Sequence, residues 1–361
     1  MASYRVEMET DRFVILDISG QRVGFEKPSR VLSEDDRVFL AELGSNVARS
    51  TADALEKLGA GNIWKRFRRI GIKVNLCGGI VGCRATFTDP LVVEGIIEHA
   101  RSWGAEPFVC EGDMRGLAVD KGLIKRRGEF EEVLERTQTP FVNLSGNPIP
   151  FSCHSLESRL TFPEELLDPQ TAVVSAAVPK DHWECGISMA QKNMYGAISE
   201  RRKALFHRSW SRIDRAVAAA ARILRPDVAV VGGRWAGAGW GPHFCVPVEW
   251  RRVVVGTDAS RVDKCMAEVY GFPYSKIGYA AINSRGEDVS YSLVEDGASW
   301  PQEAVRKLQR YAMTNGRRLV WKAILYPQYF LPHRFQHSAA PKLEDMAASF
   351  HRRFVDPLAG K

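Results

Sequence analysis

Apolar positions recur along this chain in two rhythms, short runs that suit strands and longer stretches of helical period. Residues 4–31 read as a β-rich lead-in, where "RFVILDISG" and "QRVGF" are separated by a Gly. The run "SEDDRVFLAELGSNVARSTADALEKLGA" predicts a helix, with Ser33 as N-cap and acidic residues in the first turn. "RIGIKVNL" is a compact strand that ends in polar residues, "DPLVVEGIIEHARSWGA" a helix with a Gly stop, and "PFVCEGD" another short strand. "GEFEEVLERTQ" then reads as a helix, and "TPFVNL" and "TAVVSAAV" as strands. A strong helix, "SWSRIDRAVAAAARILRP", is stopped by Pro226. It leads to the strand "DVAVVGG", the Gly-rich loop "RWAGAGWGPHF", the strand "RRVVVGTD" and the helix "ASRVDKCMAEVYGF".

Strand and helix alternate, which predicts an α/β fold: a mostly parallel sheet flanked by helices, built from right-handed βαβ units. The alternation fades after about residue 285. The expected organisation is a β-rich N-terminal lead-in and helix over 1–60, an α/β core over 61–285 and an accessory C-terminal segment over 286–361. In such sheets the chemistry gathers at the carboxyl ends of the strands. That rule turns attention to the polar residues that close each strand.

Composition narrows the function classes. Apolar residues make up 45% and charged residues 26%, as in an ordinary globular protein. The start, "MASYRVEMETDR", holds no apolar signal core, and no run reaches the ~18 apolar residues a spanning helix needs. A cytoplasmic protein with no membrane partner is expected. The net charge is +7, but the basic groups are spread along the chain without a stacking platform, so nucleic acid is not expected as a partner. A positive field drawing a small anion into a cleft is the simpler reading. Seven cysteines stand at wide spacings with no C-x-x-C, so neither disulfides, zinc knuckles nor an iron–sulfur cluster is expected.

Lys73 and Asn75 share one face of "IKVNL", while the neighbouring apolar residues occupy the other phase. A solvated edge strand would explain them, but a strand buried on both faces accepts a Lys only with a partner. The loop "CGGIVGCRATFTDP" combines glycines, Arg84, Thr86, Thr88 and the cap Asp89-Pro90, as an anion site at a helix start would; an ordinary surface loop is the competing reading. Glu111 and Asp113 close a strand as "EGD" and are candidate ligands for a divalent metal or an acid–base pair, unless they merely make a turn. Asp258 is as readily a cap as a ligand.

The richest stretch runs from 179 to 207, "PKDHWECGISMAQKNMYGAISERRKALFH". Lys180 and His182 alternate just past an apolar strand; Lys192, Asn193 and His207 follow, and Gly186 and Gly196 interrupt any single helix. Lysine near a carboxylate holds anions, and histidine moves protons or ligates metal. The plain alternative, a solvated helix, suits only "ERRK". In "GAGWGPHF" the glycines do not follow the dinucleotide fingerprint, so the loop reads as a pocket rim with His243.

From "IKVNL" and "EGD" through "PKDHWECGISMAQKNMYGAI", His207, "GAGWGP" and "GTDASRVDKCMAEVYG", residues 70 to 285 resemble the family called domain of unknown function 362. The resemblance implies an α/β fold and little settled chemistry. Some members carry ferredoxin-type cysteine clusters that this chain lacks. An acidic residue often precedes the family's Gly-rich loop, a place held here by Gly232 and Gly233. The His, Lys and His spacing is also similar to that of nickel-pincer lactate racemases. That likeness would make Lys192 the anchor of a nickel cofactor, with His182 and His207 as acid–base or ligand groups.

The leading expectation is an enzyme acting on a small anionic substrate, a carboxylate or a phosphate. Lys180, His182, Lys192 and His207 are its candidate catalytic residues. Lys73, Asn75, Arg84, Asn193 and His243 would bind the substrate, and Glu111 and Asp113 a metal. A non-catalytic metabolite binder and a metal-dependent racemase or oxidoreductase are the alternatives.

Overall fold

A computed structural model of the protein describes residues 4–28, 32–76, 84–113, 124, 128–154, 156, 159–199, 203–239, 241–242, 245–312, 318, 319, 323, 349 and 353. Two sheets organise them. The lead-in folds as β1 (Tyr4–Glu9), β2 (Phe13–Ile18) and β3 (Gln21–Glu26), each antiparallel to the next. The larger sheet starts with β4 (Arg37–Glu42), β5 (Arg69–Val74), β6 (Glu106–Glu111) and β7 (Phe141–Asn143). Between β7 and the later strands the chain returns to the first sheet as β8 (Pro148–Ser152) and β9 (Leu160–Pro163), which give it five strands.

The larger sheet is completed by β10 (Thr171–Ala177), β11 (Lys180–His182), β12 (Gly186–Ser188), β13 (Val228–Ala238), β14 (Val246–Gly256) and β15 (Ser292–Val294). Its order is β15-β4-β14-β13-β10-β5-β6-β7, with β11 paired to β12 and β13. The five strands from β13 to β7 are parallel, as the alternating pattern predicts. By contrast, β14 is antiparallel to both β13 and β4. The fold is therefore α/β with a mostly parallel main sheet, helices around it and a β-rich N-terminal region.

One expected element divides in two. The predicted helix over 33–60 is a strand, β4, followed by a helix at Val47–Leu58. Asn46, not Ser33, caps that helix, accepting from Arg49 N. The reason is tertiary: "RVFLAE" pairs with β14 on one side and β15 on the other, so its backbone groups find partners in the sheet. A strand, β15, and a helix, Gln302–Tyr311, also follow residue 285, where the pattern had faded.

Apolar side chains cover both faces of the main sheet. Ile70, Ile72, Val74, Val174, Ala176 and Val230 face one cluster, and Val173, Ala177, Ala229 and Val231 the other. Each fully buried Val or Ile contributes about 1.5–3 kcal/mol. Lys73 and Ser175 are paired in register and lie in the phase of the second cluster, inside the sheet rather than on an edge. The constraint foreseen for Lys73 thus holds, and a buried partner is required.

Across that second face lies the short helix Ala190–Tyr195, which carries Lys192 and Asn193. Its own first residues offer no side-chain cap. Buried Asp263, from the helix Ala259–Val269, supplies one by accepting from Ala190 N at 2.7 Å and Gln191 N at 3.0 Å. Burial pushes the Asp263 carboxyl up to about 7, against the pull of those N–H groups. A raised pKa means that its contribution to stability is full below the ordinary carboxyl value and is lost as pH rises through about 7. Asp263→Asn is expected to flatten that fall in unfolding free energy, measured by urea denaturation from pH 4 to 8; an unchanged slope would contradict the assignment.

Candidate functional site

The carboxyl ends of β5, β10 and β6 carry a lattice of buried polar groups. Lys73 is fully buried, and its ammonium donates to Val74 O at 2.7 Å and Asn193 Oδ1 at 3.1 Å while pairing with Glu111 Oε1 at 2.7 Å. Glu111 also accepts from Gly112 N and Leu76 N, each at 3.1 Å. The Asn193 amide donates to Lys73 O at 2.7 Å and Ser175 Oγ at 3.1 Å. Gly196 closes over the pair: a Cβ there would stand 2.6 Å from both Lys73 Nζ and Glu111 Oε1. That close approach explains the glycine of "KNMYG".

The lattice extends through Asn75. Lys180, also fully buried, donates to Thr86 O at 2.5 Å and Asn75 Oδ1 at 3.3 Å. Thr88 bonds Asn75 N and Ala176 O, tying the strand ends together. Beside Lys180, Asp181 accepts from Gly239 N at 2.7 Å and Gly241 N at 3.1 Å. The Gly-rich loop is therefore bound to β11, and a Cβ on Gly241 would overlap the Asp181 carbonyl.

A second centre forms at the turn from β11 to β12. His182 Nδ1 accepts from Glu184 N at 3.1 Å and Cys185 N at 3.3 Å. The Glu184 side chain is buried; its Oε2 lies 2.5 Å from His207 Nδ1, and its Oε1 has no hydrogen-bond partner among the described residues. Other buried atoms, Glu165 Oε2 and Thr171 Oγ1 among them, share that state. His207, 14% exposed, packs edge-on against Tyr195 at 5.9 Å. The Lys192 ammonium sits 5.3 Å from the centre of the same ring, and among the described residues it has neither an ion pair nor a hydrogen bond.

The expected residues thus divide between two centres joined by β11 and the helix Ala190–Tyr195. Lys73, Asn75, Lys180, Asn193 and Glu111 share the lattice; His182, Lys192 and His207 gather around Glu184 and Tyr195. Lys73 is committed to its partners rather than open to a ligand. Arg84 is exposed, with its guanidinium over Trp235 at 5.6 Å, where it lines a surface pocket with Asp89, Glu129 and Arg234. His243 lies outside the described residues.

The carboxylates expected to hold a metal have other work. Glu111 is the counter-ion of Lys73, and Asp113 accepts from Asn143 Nδ2 at 2.7 Å. Among the described residues, the group whose ligand atoms come within 4.8 Å of one another is His182, Glu184 and Cys185. In the arrangement seen, His182 Nδ1 accepts from two amides, and burial pushes the Cys185 thiol well above its ordinary value.

Sequence reasoning passed over Glu184 and Tyr195. Glu184 stood in view within "DHWECG", a carboxylate that the chain buries beside a histidine. The cost of that burial was the available signal.

A family model for a domain of unknown function, number 362, matches residues 70–268. The chain is similar to a thylakoid-associated protein of Synechocystis, 26% identical over 233 residues that cover 63% of this chain and 71% of the relative. No solved structure matches it.

Removing one partner of a buried ion pair strands the other charge at a cost of about 3–5 kcal/mol. Lys73→Met and Glu111→Gln are each expected to lose stability on that scale in urea unfolding, and the double variant less than the sum. Additive losses would contradict the pairing.

Proposed function

The chain belongs to the family called domain of unknown function 362, and within it we propose that this protein is an enzyme that transfers protons on a small anionic substrate. The observation that carries the proposal is the Glu184–His207 contact, a histidine held at 2.5 Å by a carboxylate whose side chain is fully buried. With Glu184 ionised, His207 Nδ1 carries the hydrogen and Nε2 keeps a lone pair, the form in which imidazole acts as a base. His182 has the opposite arrangement. Its Nδ1 accepts two amide hydrogens, so in the neutral ring Nε2 carries the proton and donates.

One turn therefore supports two imidazoles in complementary states, one set to take a proton and one set to give a hydrogen bond or a proton. That pairing suits abstraction of a proton from a carbon or hydroxyl beside a carboxylate or phosphate, with the developing negative charge met by a donor. Lys192, half-buried and without a carboxylate partner among the described residues, supports an anionic substrate: its ammonium shares the Tyr195 ring with His207. The lattice of Lys73, Glu111 and Asn193 supports the helix from which Lys192 projects.

Proton transfer leaves a trace even where no net reaction is followed. In D2O, a panel of small carboxylates and phosphate esters is expected to include a compound that takes up deuterium at one position, read by proton NMR. His207→Gln should slow that uptake by about 10²–10⁴-fold, the usual worth of a general base. Lys192→Ala should weaken binding instead. A compound that binds the wild type tightly, exchanges no proton and binds His182→Ala and His207→Gln as well would identify a metabolite binder and overturn the enzyme.

A further inference from the structure

Peptide geometry ties the state of His182 to a residue far along the chain. In a trans peptide unit the C=O and N–H point in opposite directions within one rigid plane. The N–H of Glu184 belongs to the unit whose carbonyl is that of Trp183, and the N–H of Cys185 to the unit whose carbonyl is that of Glu184. Those two N–H groups hold His182 Nδ1. Their two carbonyls are both gripped by Arg318, which donates from Nε to Trp183 O at 3.3 Å and from Nη2 to Glu184 O at 2.6 Å.

We infer that Arg318 is a positioning residue of the site: by gripping the Trp183 and Glu184 carbonyls, it aims two amides at His182 and fixes that ring as the Nε2–H donor. Arg318 lies outside the stretch matched by the family model, residues 70–268, so part of the site's order comes from beyond it. The inference rests on the proton-transfer reading only for what the donor form of His182 is used for.

The surroundings of Arg318 are built for this grip. Its guanidinium stacks over Phe272 at 5.5 Å, and the Phe272 ring packs where a Cβ on Gly186 would stand 2.9 Å away. Phe272 thus fills the space beside the first residue of β12 and beneath the arginine. On the near side of the turn, Trp183 N donates to Gly241 O at 3.0 Å. The planar guanidinium spans consecutive carbonyls with two N–H groups in a fixed fork, which the single ammonium of lysine does not reproduce. A cation on the carbonyl side also polarises each amide and strengthens the bond its N–H makes on the far side.

The test reads the imidazoles directly and needs no substrate. Long-range proton–nitrogen NMR of 15N-histidine-labelled protein distinguishes the two neutral tautomers from the charged ring. At a pH high enough for both rings to be neutral, His182 of the wild type should show only the Nε2–H pattern and His207 only the Nδ1–H pattern. Arg318→Ala should turn the His182 signal into a mixture of tautomers while the His207 signal, fixed by Glu184, stays as it was. Added methylguanidinium should restore it. Should Arg318→Ala not fold, Arg318→Lys serves: the charge is retained, the fork is lost, and a mixed His182 signal is again expected. A folded variant whose His182 signal matches the wild type overturns the inference. Loss of deuterium exchange with both tautomers in place would instead count against the proton-transfer reading.

Discussion

A charge taken out of water must meet an opposite charge or a full set of hydrogen bonds, and this constraint shapes the carboxyl edge of the main sheet. Lys73 is fully buried and Glu111 nearly so. The strand β5 is tenable with a lysine in its buried phase because Glu111 ends the neighbouring strand within 2.7 Å of it. Asn193 and Gly196 follow from the same need: the amide fills a remaining site on the ammonium, and the missing side chain of the glycine lets the helix end close over the pair. The helix Ala190–Tyr195 is thereby held at both ends, by Asp263 at its start and by the ion pair near its finish.

That fixed helix is what places Lys192 beside Tyr195 and His207. The next strand end, β11, runs from Lys180 in the lattice to His182 in the second centre. The two centres thus divide the labour. In one, every polar group is answered by another, and the result is rigidity. In the other a carboxylate oxygen is left unanswered and an ammonium has no anion among the described residues.

Much of this was legible in the residues. Lys73 announced itself because it stood in the wrong phase of an apolar strand, and β5 is indeed buried on both faces. The crowded stretch from Lys180 to His207 stood out because an apolar strand was followed by groups too costly to bury singly. The partners were not legible, since pairing across strands depends on register: Glu111 read as a metal ligand or a turn until β6 was set beside β5. The segment "RVFLAE" suits a helix or a strand equally, and only its place between β14 and β15 decides. Glu184 stood in view in a polar run, but its burial against His207 depends on how the chain folds back.

The proposed enzyme depends on a buried carboxylate that holds His207 as a base. An imidazole N–H donated to a buried carboxylate resonates far downfield in the one-dimensional proton spectrum. Such a signal is expected at neutral pH, absent in Glu184→Gln and in His207→Gln and retained in Lys73→Met. A spectrum without that signal in the wild type, or one that survives Glu184→Gln, would contradict the proposal.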